Sequence, residues 1–102
     1  MNARVLVVDD EPSIRESLAD ALTEQGFVVR VATDGRRALD VLAEEPPDIL
    51  LADVRMPVLD GIGLLRAVRA QAPNVDVIMM TAFDAGERSL EIWVMEMTES
   101  PR

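Results

Sequence analysis

Four short apolar runs alternate with three segments of helical periodicity along this chain. The runs cover residues 4–8, 27–32, 48–53 and 75–80. They are rich in aliphatic residues and nearly continuous, which is typical of strands buried on both faces of a parallel sheet. Between them, apolar residues recur at helical spacing, and proline or glycine interrupts the pattern near the expected helix ends. The order βαβαβαβ predicts an α/β fold with a parallel sheet, right-handed crossovers and helices on both faces.

Residues 82–102 have a different pattern. A helix would bring four apolar residues of this segment to one face, namely Leu90, Trp93, Val94 and Met97. Ile92 and Met95 would lie off that face, so a strand with apolar residues on both sides is the alternative. We favour a helix for the tail and expect residues 98–102 to fray.

Charge and composition narrow the class of function. With 19 acidic and 10 basic residues the net charge is −9, which argues against nucleic-acid binding by this chain because affinity for phosphate backbones comes mainly from Lys and Arg. The sequence has no cysteine and no histidine, so it offers no thiolate or imidazole ligand and no histidine base. It contains no run of membrane-spanning length and no signal-peptide pattern, so a cytoplasmic location without membrane contact is expected. All the basic residues are arginines, and there is no lysine.

Three aspartates follow apolar runs at the positions where strands end. Asp9 and Asp10 come directly after the first run, and Asp53 ends the third. The carboxyl ends of parallel strands form the ligand-binding edge of open α/β sheets, so we expect these carboxylates to converge. Clustered carboxylates repel one another, and a hard divalent cation such as Mg²⁺ relieves that repulsion. With a loop carbonyl near Arg55 and waters completing the coordination, Asp53 can act as a nucleophile toward a phosphoryl group.

A hydroxyl is expected at the same edge, because Thr81 ends the fourth run and can hydrogen-bond a phosphate oxygen. Each of these residues also has an ordinary structural explanation. Asp9 and Asp10 suit a helix N-cap and its neighbour. Asp53 suits a polar strand terminus, and Thr81 suits a turn. Taken singly these explanations are the simpler ones, but the joint placement on the first, third and fourth strands favours a site.

Four segments together resemble the receiver domain of two-component response regulators, and their Asp-Val-Arg-Met-Pro element is most similar to receivers of enhancer-binding transcriptional regulators. The segments are residues 5–12, 34–39, 48–61 and 78–83, and the similarity extends over roughly residues 3–84. The resemblance implies a flavodoxin-like, doubly wound parallel sheet. It also implies phosphotransfer from a histidine kinase to Asp53, Mg²⁺ held by Asp9, Asp10 and Asp53, and Thr81 as the switch hydroxyl.

The chain also departs from that family. A complete receiver continues through a fourth helix, a fifth strand ending in Lys-Pro, and a fifth helix, whereas this sequence has no lysine and ends about 20 residues after Thr81. We therefore divide it into a receiver-like domain, 1–85, with strand order 2-1-3-4, and an atypical tail, 86–102. A frameshifted or truncated gene end is the most economical explanation of the tail; a natural short variant and a fragment of a longer protein are the others. Arg55 or Arg88 would replace the lysine only in part.

Without a fifth strand, strand four would be an exposed apolar edge, which invites pairing with another chain. We therefore expect a homodimer through strand four or the tail, with Leu90, Trp93 and Met97 in the contact. The leading hypothesis is a phosphoacceptor domain, not an enzyme, impaired by the truncation. The alternatives are a dimerisation or interaction module that does not depend on phosphorylation and, ranked lowest, a Mg²⁺-dependent phosphohydrolase using Asp53.

Overall fold

Strands and helices alternate in the order that the hydrophobic pattern predicts. The structure, a computed structural model, describes the backbone of residues 2–53, 61–84 and 90–97, and the side chains of residues 2–53 and 63–80. Its elements are β1 (Arg4–Val8), α1 (Pro12–Glu24), β2 (Val28–Ala32), α2 (Gly35–Glu44), β3 (Ile49–Asp53), α3 (Gly61–Gln71), β4 (Asp76–Asp84) and β5 (Leu90–Met97). Within these residues no helix is both long and apolar enough to cross a bilayer.

Helix ends coincide with the residues that sequence chemistry assigns to them. Pro12 occupies the first turn of α1, where its missing N–H costs no hydrogen bond. After α1, Gly26 has a φ of +100°, a left-handed conformation that glycine adopts without a Cβ penalty. Asp34 caps α2, since its Oδ1 accepts a hydrogen bond of 2.9 Å from the backbone N–H of Arg37. Local sequence thus sets both ends of α1 and the start of α2.

The sheet has the strand order β2-β1-β3-β4-β5. The first three neighbouring pairs are parallel, which confirms the predicted order 2-1-3-4. Because β2 lies on one side of β1 and β3 on the other, right-handed crossovers place α1 on one face of the sheet and α2 on the opposite face. The charged and exposed Arg30 lies in the edge strand β2.

The main core lies between the sheet and the second and third helices. Leu6, Leu50 and Val77 are fully buried there, together with Leu64 and Val68 of α3. The α1 face is packed less completely. Helix α1 has no fully buried residue, and several apolar strand residues are only half-buried, among them Ile49, Leu51 and Ile78.

The predicted helix in the tail is wrong: Leu90–Met97 forms strand β5. It pairs antiparallel with β4, with Thr81 opposite Trp93 and Asp84 opposite Leu90. Two physical effects favour the strand. The segment contains β-branched and aromatic residues at 92–94, which fit a pleated sheet. A helix of this length is also marginal in water, whereas pairing satisfies the free side of β4 and one side of the segment's own backbone.

The expected exposed edge on β4 is therefore also wrong. One side of β4 pairs with β3 and the other with β5 of the same chain. Hydrogen bonding between two β4 strands would require β5 to leave the sheet. The outermost strand on this side is β5, so any pairing between chains at this side would involve the tail.

Candidate functional site

The register of the sheet brings three carboxylates together. Val8 lies opposite Ala52 in the β1–β3 ladder, so the next residues along each strand, Asp9 and Asp53, are neighbours at the carboxyl edge. Asp10 follows at the start of the turn into α1. Ligand oxygens of Asp9, Asp10 and Asp53 all lie within 4.8 Å of one another. The predicted convergence of the three acids is present in the structure.

The hydrogen bonds of Asp9 leave one oxygen without a partner. Its N–H donates to the Ala32 carbonyl at 3.2 Å, and its own carbonyl accepts a hydrogen bond of 2.9 Å from Nη1 of Arg15. Its Oδ1 accepts a hydrogen bond of 2.9 Å from the Glu11 N–H. Its Oδ2 is buried and has no hydrogen-bond partner. A buried carboxylate oxygen without a hydrogen-bond partner destabilises the folded protein unless a proton or a cation binds to it.

Burial also changes the acidity of the site. The pKa of the Asp9 carboxyl is raised above its ordinary value of 3.8, chiefly because burial disfavours the charged form. The hydrogen bond from the Glu11 N–H lowers this pKa, and the negative charges of Asp53, Asp10 and Glu11 raise it. Asp9 is fully buried and Asp53 is 9% exposed, whereas Asp10 is exposed. The site thus opens to solvent on the Asp10 side.

These residues fit a hard divalent cation. Mg²⁺ prefers oxygen ligands, keeps several waters, and is usually held by one or two carboxylates. The unpartnered Oδ2 of Asp9 gives it a buried ligand, and the exposed Asp10 leaves room for water. A cation would also offset the mutual repulsion of the three acids. The donor set matches the predicted Mg²⁺ site.

Of the other predicted site residues, Thr81 is placed by its backbone alone and Arg55 lies outside the described residues. Thr81 lies in β4 directly after Met80, whose Cα partner in β3 is Asp53. This puts the Thr81 backbone at the same edge, one residue beyond Asp53, but its side chain lies outside the described side chains. Arg55, whose carbonyl was expected to bind the metal, and Arg88 lie outside the described residues.

Sequence reasoning missed Arg15. This residue is the fourth of α1, at the end of the first turn, and its half-buried side chain reaches back to the end of β1. Helical side chains tilt toward the helix N-terminus. An arginine one turn after the Asp-Asp-Glu segment was therefore a signal that could have pointed to this contact.

Comparison with known proteins agrees with this geometry. The family model for the response regulator receiver domain matches residues 5–99. The response regulator MprA of Mycolicibacterium vanbaalenii is 42% identical over 85 residues, which are 83% of this chain and 37% of that protein. The chain thus spans little more than a third of that relative's length.

Solved structures give the same result. The chemotaxis protein CheY4 of Vibrio cholerae superposes with a TM-score of 0.74 and 37% identity, covering 78% of this chain and 68% of that one. The response regulator TrrA of Thermotoga maritima, solved in complex with Mg²⁺-BeF, gives a TM-score of 0.71 and 34% identity, covering 76% and 66%. This chain belongs to the response regulator receiver domain family.

Proposed function

We propose that this receiver domain accepts a phosphoryl group on Asp53 from a histidine kinase, with Mg²⁺ held by Asp9, Asp10 and Asp53. The observation that carries the proposal is the buried, unpartnered Oδ2 of Asp9 within 4.8 Å of ligand oxygens on both other acids. A similar receiver, TrrA, has been solved with Mg²⁺-BeF, which supports the choice of metal.

The three acids have different parts in this proposal. Asp9 is buried and fixed by its hydrogen bonds, so it supplies a ligand whose position does not depend on the metal. Asp10 is exposed and closes the solvent side. Asp53 supplies the nucleophile. Bound Mg²⁺ would neutralise charge on the incoming phosphate, which is its general contribution to phosphoryl transfer.

The transfer step needs no histidine in this chain. A carboxylate oxygen of Asp53 attacks the phosphorus of a phosphohistidine on the kinase. A P–O bond forms while the P–N bond breaks, and the electron pair of that bond stays on the imidazole nitrogen, which takes up a proton from solvent. Asp53 then carries an acyl phosphate, whose phosphoryl group bears roughly −1.5 to −2 charge in place of the single negative charge of the carboxylate, so an already acidic site becomes more negative.

We expect slow or incomplete labelling for an electrostatic reason. The sequence contains no lysine, so the added charge must be offset by the metal, backbone N–H groups, arginine and the predicted hydrogen bond from Thr81. Arginine is a rigid planar donor and does not reproduce the compact charge of a lysine ammonium. The proposed phosphoacceptor is therefore an impaired one.

Labelling with a small phosphodonor tests this function. The protein is incubated with acetyl phosphate and Mg²⁺, and bound phosphate is followed by intact mass. Asp53→Asn should abolish labelling, whereas Asp20→Asn, which alters an exposed acid on α1, should leave it unchanged. Labelling that persists in Asp53→Asn would reject Asp53 as the acceptor. Turnover of an aryl phosphate by the unmodified protein would favour the phosphohydrolase instead.

The α1 face of the sheet favours a second candidate, the interaction module. Ile49, Leu51 and Ile78 are only half-buried there, and exposed apolar surface of this kind often marks a contact with another protein. If the protein is an interaction module, its function is the association of two chains through this face or the tail, and the acidic site is not required. Asp53→Asn separates the two candidates, because only the first loses its function.

A further inference from the structure

Arg15 connects helix α1 to the acidic pocket. Its Nη1 donates a hydrogen bond of 2.9 Å to the backbone carbonyl of Asp9. Its own backbone N–H donates to the Glu11 carbonyl at 3.0 Å, in the first turn of α1. The side chain is half-buried. A single arginine thus bridges the end of β1 and the helix that follows it.

The turn that carries two of the acids needs such an anchor. Three carboxylates whose oxygens lie within 4.8 Å of one another repel, and that repulsion acts to separate the β1–α1 turn from Asp53. The bond from the Glu11 N–H to Oδ1 of Asp9 joins two residues of the same turn, so it fixes the shape of the turn but does not hold it to the rest of the protein. The main-chain bonds of Asp9 to Ala32 and Arg15 do hold it.

The other arginines with described partners are engaged elsewhere. Arg4 forms an ion pair with Glu45, and Arg30 pairs with Glu44 at 3.4 Å. Arg4 begins β1 and its backbone N–H donates to Asp48, just before β3, so this cluster lies at the amino edge of the strands, opposite the acids. Arg69 donates to the carbonyl of Val75. Among these described arginine contacts, the hydrogen bond of Arg15 is the one that reaches the acidic pocket.

We propose that Arg15 is a positioning residue for the metal pocket: its hydrogen bond to the Asp9 carbonyl holds the carboxylates of Asp9 and Asp10 next to Asp53. This inference rests on the proposed function for its metal, but the contact itself exists without one. Residues that orient ligands typically change metal affinity by 10–100-fold when removed.

Two substitutions of Arg15 distinguish the effect of its hydrogen-bond donor from the effect of its side-chain packing. Arg15→Met keeps a long apolar stem but loses donor and charge, and Arg15→Lys keeps a charged donor of similar reach. Arg66→Met, on the exposed part of α3, is the matched control. Mg²⁺ affinity is measured by titration of amide shifts, and amide hydrogen exchange at Asp9 and Glu11 is measured in metal-free protein.

We expect Arg15→Met to bind Mg²⁺ about tenfold more weakly and to lose exchange protection at the Glu11 amide. Arg15→Lys should recover most of the Mg²⁺ affinity and most of the protection. Arg66→Met should match the unchanged protein in both measurements. Wild-type affinity and protection in Arg15→Met would overturn the inference. So would an Arg15→Lys variant no better than Arg15→Met, because the donor would then be irrelevant.

The two readouts also separate this inference from the proposed function. If the unchanged protein does not respond to Mg²⁺ but Arg15→Met loses protection at Glu11, the metal site is rejected and the positioning contact stands. If the unchanged protein binds Mg²⁺ and Arg15→Met behaves identically in both measurements, the metal site stands and the positioning role is rejected.

Discussion

Asp9 and Asp53 are side by side because Val8 and Ala52, the residues before them, are partners in the β1–β3 ladder. The two carboxylates are more than forty positions apart in the sequence, yet Asp9 directly follows β1 and Asp53 ends the neighbouring parallel strand β3. Strand pairing therefore brings the two carboxylates to the same edge of the sheet before any metal binds. This preorganisation underlies the predictions that follow.

The first prediction concerns metal binding. The unchanged protein should bind Mg²⁺ weakly, in the millimolar range, because the ion keeps several waters at such sites. Amide shifts near Asp10 and Asp53 should move on titration. Asp10→Ala should lose most of this response, and Asp20→Asn, an exposed acid on α1, should retain it. An equal response in Asp10→Ala would remove Asp10 from the site.

The second prediction concerns pH. The pKa of the Asp9 carboxyl is raised above 3.8 in the folded protein, chiefly because the group is buried. At a pH between the pKa of this group in the unfolded protein and its pKa in the folded protein, the folded protein therefore binds more protons. The free energy of unfolding of the metal-free protein should therefore carry a term that falls as pH rises through this window and then levels off. Urea unfolding across a pH series, without and with Mg²⁺, measures this term.

Asp9→Asn is the variant that isolates that term. The amide keeps an acceptor for the Glu11 N–H and removes the buried charge, so the metal-free variant should be more stable above the window and should lose this part of the pH dependence. Mg²⁺ should stabilise it less than it stabilises the unchanged protein. A variant with the same pH profile as the unchanged protein would show that Asp9 does not titrate differently on folding.

The third prediction compares two neighbours on one strand. Leu50 is fully buried in the main core, so Leu50→Ala should lower the free energy of unfolding by about 2–5 kcal/mol. Ile49, on the opposite face, is only half-buried, so Ile49→Ala should cost clearly less. Equal costs in urea unfolding would mean that the α1 face is covered in solution, for example by a second chain.

The fourth prediction concerns association. The tail occupies the outer position of the sheet as β5, and an edge strand offers unpaired backbone groups to another chain. We expect a homodimer at micromolar concentration, with Leu90, Trp93 and Met97 in the contact as the sequence predicts. Their side chains lie outside the described part of the molecule. Sedimentation of the unchanged protein and of Trp93→Ala is the measurement; a monomer in both would reject this contact.

The sequence by itself determined the elements whose signals are local. Continuous aliphatic runs predicted β1 to β4, because a strand buried on both faces has no polar side to encode. Proline at position 12 and the cap residue Asp34 are local signals of helix starts, since both act on the first turn alone. The three acids were also predicted from sequence, because their positions follow from where strands end.

Only the tertiary structure decided the rest. The segment Leu90–Met97 satisfies both a helical and a strand pattern, and the backbone of β4 selects the strand by offering hydrogen-bond partners that no local signal represents. The contact of Arg15 with the Asp9 carbonyl depends on how α1 leaves β1. The unequal burial of Asp9 and Asp10, adjacent in sequence, depends on packing around the turn. Burial and non-local hydrogen bonds are properties of the assembled sheet. The sequence pattern could therefore predict which acids form the site, but not the different environments of those acids.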